Sequence, residues 1–84
     1  MQTNREFVLR EEGDEGFLFD VERGRILVLN ETGVFIWKMC REGRSEKEII
    51  GLVEEEFEVS SPKDVEKDVR VFLEKLRAYN CFSG

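Results

Sequence analysis

Hydrophobic residues in the first third of the chain fall into three short runs separated by acidic or glycine-bearing turns. Short β-prone runs bounded by such turns are typical of strands. We therefore predict three antiparallel strands, with Gly24 in the last position of the loop between the second and the third, where a positive φ is needed. The runs are residues 7–9, residues 17–20 and Arg25–Leu29.

Pairing of Asp20 with Arg25 across this hairpin divides the apolar side chains between the two faces of the sheet. We expect the face with the aromatic residues to pack on the helices and the other face to lie outward. The third strand is apolar on both faces, so its outward face needs a cover or a partner. The inward set is Phe17, Phe19, Ile26 and Val28, and the outward set is Leu18, Leu27 and Leu29.

From residue 31 to residue 80, the apolar residues recur with helical spacing, which predicts three helices. Asn30 caps the first helix, which is apolar nearly all round, contains Trp37 and forms the core. Ser45 and Glu48 form a capping box for the second. Ser61 and Pro62 begin the third, and Asn80 ends it. The apolar stripe of the third helix is Val65, Val69, Phe72, Leu73 and Leu76.

Three strands followed by three helices in 84 residues predict one domain, residues 1–84, of the α+β class with a winged helix-turn-helix-like order of elements. The chain is 40% hydrophobic and contains seven Phe, so we expect it to fold around one small core. Such a core cannot easily enclose a deep substrate pocket as well, so an enzyme is not expected.

Residue types that carry common chemistry are scarce. The chain has no His, which removes the commonest general base and the commonest transition-metal ligand. Cys40 and Cys81 lie far apart without a CxxC spacing, so we expect two buried or half-buried thiols and neither a disulfide nor a zinc site. Acidic pairs such as Glu11 and Glu12 lie in turns, where water keeps them ionised. No catalytic residue, metal or cofactor is therefore expected.

A formal charge of −6 has the wrong sign for a protein that binds nucleic acid or anionic membranes. No run approaches the roughly 18 apolar residues of a membrane span, and the first ten residues lack the order of a signal peptide. We therefore expect a cytoplasmic protein with no nucleic-acid or membrane partner. A winged-helix DNA-binding regulator is the alternative, on the order of elements alone.

One ordered series of residues is specific in combination and runs along nearly the whole chain, from about residue 7 to residue 82. It consists of Phe19-Asp20, Gly24-Arg25, Leu29-Asn30-Glu31-Thr32-Gly33, Ile36-Trp37, Gly43, Ile49 and Glu56-Phe57, followed by a long amphipathic helix. This series resembles the PqqD family, the pyrroloquinoline quinone biosynthesis protein D and its relatives. We interpret Asp20, Gly24, Asn30, Gly33 and Trp37 as residues that shape the fold.

The resemblance implies a non-enzymatic recognition element of ribosomally made, modified peptides. Such a module captures the leader segment of a precursor peptide and presents it to a modifying enzyme, for example a radical S-adenosylmethionine (SAM) protein. Relatives serve pyrroloquinoline quinone, lasso peptide and sulfur-bridged peptide pathways alike, so the pathway stays open. An unoccupied apolar edge is also able to pair with a second copy, so a homodimer stays open as well.

The resemblance further implies that the leader adds as an extra strand on the third strand, beside the last helix. A strand that is apolar on both faces is suited to such β-augmentation. Val71 lies off the apolar stripe of the helix, with Lys67 on one side and Asp68 and Lys75 on the other, and Arg70 lies farther round. Exposed apolar residues and solvated charges are, however, common on any helix. The candidate peptide-binding residues are Arg25, Ile26, Leu27, Val28, Leu29, Lys67, Arg70, Val71 and Lys75.

Overall fold

The computed structural model describes residues 2–57 and 62–82. Three strands, β1 (Phe7–Glu12), β2 (Glu15–Asp20) and β3 (Arg25–Leu29), precede three helices, α1 (Glu31–Arg41), α2 (Glu46–Glu56) and α3 (Pro62–Ala78). The strands form one antiparallel sheet in the order β1-β2-β3. The predicted α+β fold of three strands followed by three helices is confirmed.

The hairpin between β2 and β3 has the predicted register, with Asp20 opposite Arg25. Gly24 has a φ of 68°, and its N–H donates to the Asp20 carbonyl at 2.8 Å. The Asp20 carboxylate accepts hydrogen bonds from the Arg23 backbone N–H and from Arg25 Nη2, each at 3.1 Å. Burial favours the neutral acid, but these bonds and the two nearby guanidinium groups outweigh it and hold the pKa of Asp20 below its usual value.

The predicted assignment of the two faces of the sheet is wrong. Leu18, Leu27 and Leu29 are buried beneath the helices, whereas Ile26 is 56% exposed and Val28 61% exposed. Phe17 and Phe19, which share the face of Ile26 and Val28, are only half-buried.

The reason lies in Gly16, which shares the face of the three leucines. A Cβ at this position would lie 2.5 Å from Val34 Cγ2, so the missing side chain is what lets α1 approach the sheet. Periodicity alone is symmetric between the two faces and does not reveal this close approach.

The predicted N-terminal caps of α1 and α2 are confirmed. Asn30 Oδ1 accepts from the Gly33 N–H at 2.8 Å. Ser45 and Glu48 form the reciprocal capping box, and the hydrogen bonds that Glu48 receives from Ser45 hold the pKa of its carboxyl below the usual value. Ser61, the predicted cap of α3, lies outside the described residues.

α3 ends at Ala78, and Asn80 terminates it, as predicted. Asn80 has a φ of 63°, and its N–H donates to the Arg77 carbonyl at 3.0 Å. The next N–H, of Cys81, reaches back to the Leu76 carbonyl at 3.0 Å. This pair of bonds is the Schellman pattern, in which Asn tolerates the left-handed conformation.

The core lies between the inner face of the sheet and the three helices. Trp37 is fully buried, and its ring lies 6.4 Å from the rings of both Phe7 and Phe82. Cys40 and Cys81 are buried free thiols, as predicted, and burial raises the pKa of each to about 11. The predicted apolar stripe of α3 is buried as well, with Phe72 half-buried at its margin. In the described ranges, no helix is both long and apolar enough to cross a membrane.

Candidate functional site

Strand β3 is the last strand of the sheet, so within the described chain one of its edges has no neighbouring strand. Such an edge presents backbone N–H and C=O groups to any extended segment that lies beside it. Its outward side chains, Ile26 and Val28, are exposed, and its inward side chains, Leu27 and Leu29, belong to the core. A strand added here would extend a sheet that is apolar on both faces.

The beginning of β3 is tied to the end of α3 through Arg25. Arg25 Nη2 donates to the Tyr79 carbonyl at 3.3 Å, and the guanidinium carbon lies 5.0 Å from the centroid of the Tyr79 ring. The same nitrogen binds Asp20. The Arg25 side chain is therefore held by contacts within the protein, and its backbone groups are what it presents at the edge of β3.

The end of β3 is tied to the middle of α3 through Gly33. Gly33 belongs to α1, and a Cβ at this position would lie 3.2 Å from Phe72 Cζ of α3 and 3.3 Å from Leu29 Cβ of β3. The glycine therefore lets α3 come close to the end of β3. We call the surface between these two contacts the edge groove. It runs beside the free edge of β3, and helical spacing from Phe72 and Tyr79 places Asp68 and Lys75 on the same flank of α3.

A cleft of about 300 Å³ lies among the three helices, and Asn30, the residue that follows β3, is one of the residues that line it. Its polar rim is formed by Asn30, Thr32 and Asp68. We call this space the helical cleft. Its apolar walls are formed by Ile36, Val53, Phe57, Val65, Val69 and Phe72.

The charged residues of α3 differ between its two flanks. On the flank toward α2, Arg70 forms ion pairs with Glu66 at 2.6 Å and with Glu46 of α2 at 3.8 Å. On the flank toward β3, neither Asp68 nor Lys75 forms an ion pair with any described residue. The charges beside the edge groove are therefore available to a partner.

The predicted helix candidates are not all brought together. Lys75 lies on the flank of the edge groove, while Val71, which is 59% exposed, and Lys67 lie farther round the outer surface at about 100° per residue. Arg70 lies on the opposite flank, against α2.

Two residues of the site were not among the sequence candidates. The sequence pattern places Phe72 in the core stripe alone, although the half-buried residue also lines the helical cleft. Asp68 borders the stripe one turn before Phe72, and that position is the signal by which the sequence could have revealed it.

Chemical groups that hold metals do not gather in the described part of the chain, where no three Cys, Asp or Glu side chains lie close enough to hold an ion. The two thiols are buried, and their raised pKa keeps them protonated near neutral pH. What the site offers is backbone hydrogen bonding, apolar surface and two unpaired charges.

Two solved structures resemble this fold. TbiB1 in complex with the TbiA(beta) leader peptide has a TM-score of 0.87 and 28% identity, covering 100% of this chain and 96% of that one. Lasso peptide synthetase B1 complexed with the leader peptide has a TM-score of 0.79, covering 96% of this chain and 93% of that one. Its identity of 22% supports a likeness of fold alone. No curated protein sequence matches the chain significantly.

The family comparison agrees with the fold. Residues 15–81 match the family model described as Coenzyme PQQ synthesis protein D (PqqD). The matched region begins with β2 and ends just after α3, so it contains both walls of the edge groove. The chain therefore belongs to the PqqD family.

Proposed function

We propose that this protein is a leader-peptide-binding module that captures a ribosomal precursor peptide by strand addition at β3 and presents it to a modifying enzyme. The observation that carries the proposal is the edge of β3 that has no neighbouring strand in the described part of the chain, with apolar side chains on both faces of the strand. The family match and the leader-peptide complex of the similar TbiB1 support it.

Backbone hydrogen bonds supply most of the affinity in this mode of binding, and side-chain pockets supply the specificity. Alternate residues of an added strand point to opposite faces of the sheet. One set lies beside Ile26 and Val28 on the outer face. The other set points into the edge groove, between Leu29 and the Phe72 ring.

The chemistry is supplied by the partner enzyme, for example a radical SAM protein, and this module has a presenting role. The chain has no His, and its two thiols have a raised pKa of about 11. Ordinary general-base or thiolate catalysis requires groups that ionise near the working pH. We therefore assign this protein a binding function without a catalytic step.

If a precursor peptide is encoded beside the gene for this protein, calorimetric titration with its leader segment tests the proposal. We expect binding at tens of micromolar peptide or tighter, with backbone amide shifts concentrated in β3 and the facing side of α3. A peptide of the same composition in scrambled order is the control. Absence of heat and of amide shifts with the authentic leader would remove the proposed function.

A winged-helix DNA-binding role has no comparable support in the structure. The exposed charges of α2 are mostly acidic, and on α3 Arg70 is paired with two glutamates. Affinity for DNA rests on clustered, available cations.

A further inference from the structure

The helical cleft is a feature that strand addition alone does not explain. It shares Asp68 and Phe72 with the flank of the edge groove, and its walls come from all three helices rather than from the sheet. Its volume of about 300 Å³ is at the lower limit of ligand pockets. That volume suits one or two large side chains of a peptide better than a whole cofactor.

Among the described residues that line the helical cleft, only Asp68 is charged. Asp68 lines the cleft beside the apolar side chains of Val65, Val69 and Phe72. It is exposed and forms no ion pair with any described residue. A carboxylate held next to an apolar pocket favours a ligand that places a cation beside an apolar group.

Lys75 adds a second unpaired charge on the same flank of α3. Asp68 and Lys75 are seven residues apart, which is about 10 Å along a helix. Residues on one side of an extended peptide recur every two positions, at about 6.6 Å and then about 13 Å. The difference between about 10 Å on the helix and either spacing in the peptide is within the reach of flexible side chains. The partners of Asp68 and Lys75 would therefore lie two or four positions apart in the peptide.

We infer, building on the proposed function, that the helical cleft is the anchor subsite of the bound leader. It takes a large apolar side chain, and Asp68 selects a Lys or Arg beside that anchor. Lys75 selects an Asp or Glu two or four positions from that cation. The protein therefore recognises a pattern of one apolar anchor and two opposite charges in an otherwise variable extended segment.

A positional scan of the neighbouring leader peptide against the wild-type protein and two variants tests the inference. Asp68→Lys reverses the charge at the mouth of the cleft, and Glu74→Lys makes the same change in charge on the outer surface of the same helix. We expect Asp68→Lys to weaken the leader on the order of tenfold, because an attraction becomes a repulsion of similar size. Glu74→Lys should leave the affinity within about twofold, since that position lies outside the groove.

A compensating change of charge in the leader gives a more specific test than the loss of affinity alone. A leader whose scanned basic residue is changed to Glu should bind Asp68→Lys better than it binds the wild-type protein. Filling the cleft mouth with Thr32→Phe should weaken every leader that carries the apolar anchor, while Thr32→Ser should not. Melting curves of all variants must match the wild type, so that lost affinity reports contact rather than unfolding.

The outcomes separate the inference from the proposed function. If the wild-type protein binds no leader, the proposed function fails. If it binds the leader, but Asp68→Lys and Glu74→Lys change the affinity equally and no peptide position shows a charge preference, the anchor subsite is refuted while leader binding stands.

Discussion

Truncation of Leu27 and charge insertion at Val28 test the orientation of β3, since adjacent strand residues point to opposite faces. Leu27 is 9% exposed and lies in the core, whereas Val28 is 61% exposed. Leu27→Ala should cost about 2–5 kcal/mol of unfolding free energy through lost burial and the cavity left behind. In a domain of this size each kcal/mol shifts the melting midpoint by about 4–8 °C, so about 3 kcal/mol lowers it by about 12–24 °C.

Val28→Lys should change the melting midpoint very little, because an exposed position tolerates a charge. It should weaken leader binding, because the Lys stands beside the outward side chains of the added strand. Val8→Lys is the matched control. Val8 lies on the same face and is 52% exposed, but it belongs to β1, two strands from the docking edge.

Thermal unfolding followed by circular dichroism, together with calorimetric titration of the leader, measures both effects. The orientation of β3 would be wrong if Val28→Lys melted far below the wild type while Leu27→Ala did not. The docking edge would be wrong if Val28→Lys and Val8→Lys bound the leader equally well.

Three further outcomes are expected. Iodoacetamide at pH 8 should alkylate Cys40 and Cys81 quickly only in denaturant, because burial raises the pKa of both thiols to about 11. Mass spectrometry follows the labelling, and fast alkylation of the folded protein would contradict the burial of the thiols. The hydrogen bonds of folded Asp20 lower its pKa, so the unfolding free energy measured by urea titration should fall as the pH decreases below the ordinary carboxyl pKa near 4. Asp20→Asn should make this pH dependence less steep. An unchanged pH dependence in the variant would contradict the hydrogen-bonded carboxylate. Fluorescence anisotropy should detect no binding to duplex DNA even at low salt, and a steep salt-dependent affinity would instead favour the DNA-binding alternative.

Local signals in the sequence were sufficient for the elements and their ends. The cap at Asn30, the capping box at Ser45 and the left-handed stop at Asn80 each depend on residues within a few positions of one another. The hairpin register followed from the short turn that ends at Gly24. Contacts of this kind are encoded by neighbouring residues, so a single sequence reveals them.

The face of the sheet could not be predicted in the same way. The close contact between Gly16 and Val34 joins residues 18 positions apart and becomes apparent only when α1 packs on the sheet. The flanks of α3 depend on packing too, because the ion pair of Arg70 with Glu46 of α2 exists only once the two helices are packed together. For the same reason the helical cleft, which needs three helices at once, has no local signature in the sequence.

The central claim is that a peptide adds as a strand to β3, and single N-methylation along the leader tests it most directly. An added strand directs alternate N–H groups toward its neighbour, and the intervening N–H groups point away. Titration of singly N-methylated leaders should therefore show large losses of affinity at every second position across the docked segment and small losses between them. Losses without this period of two, or no losses at all, would contradict strand addition at β3.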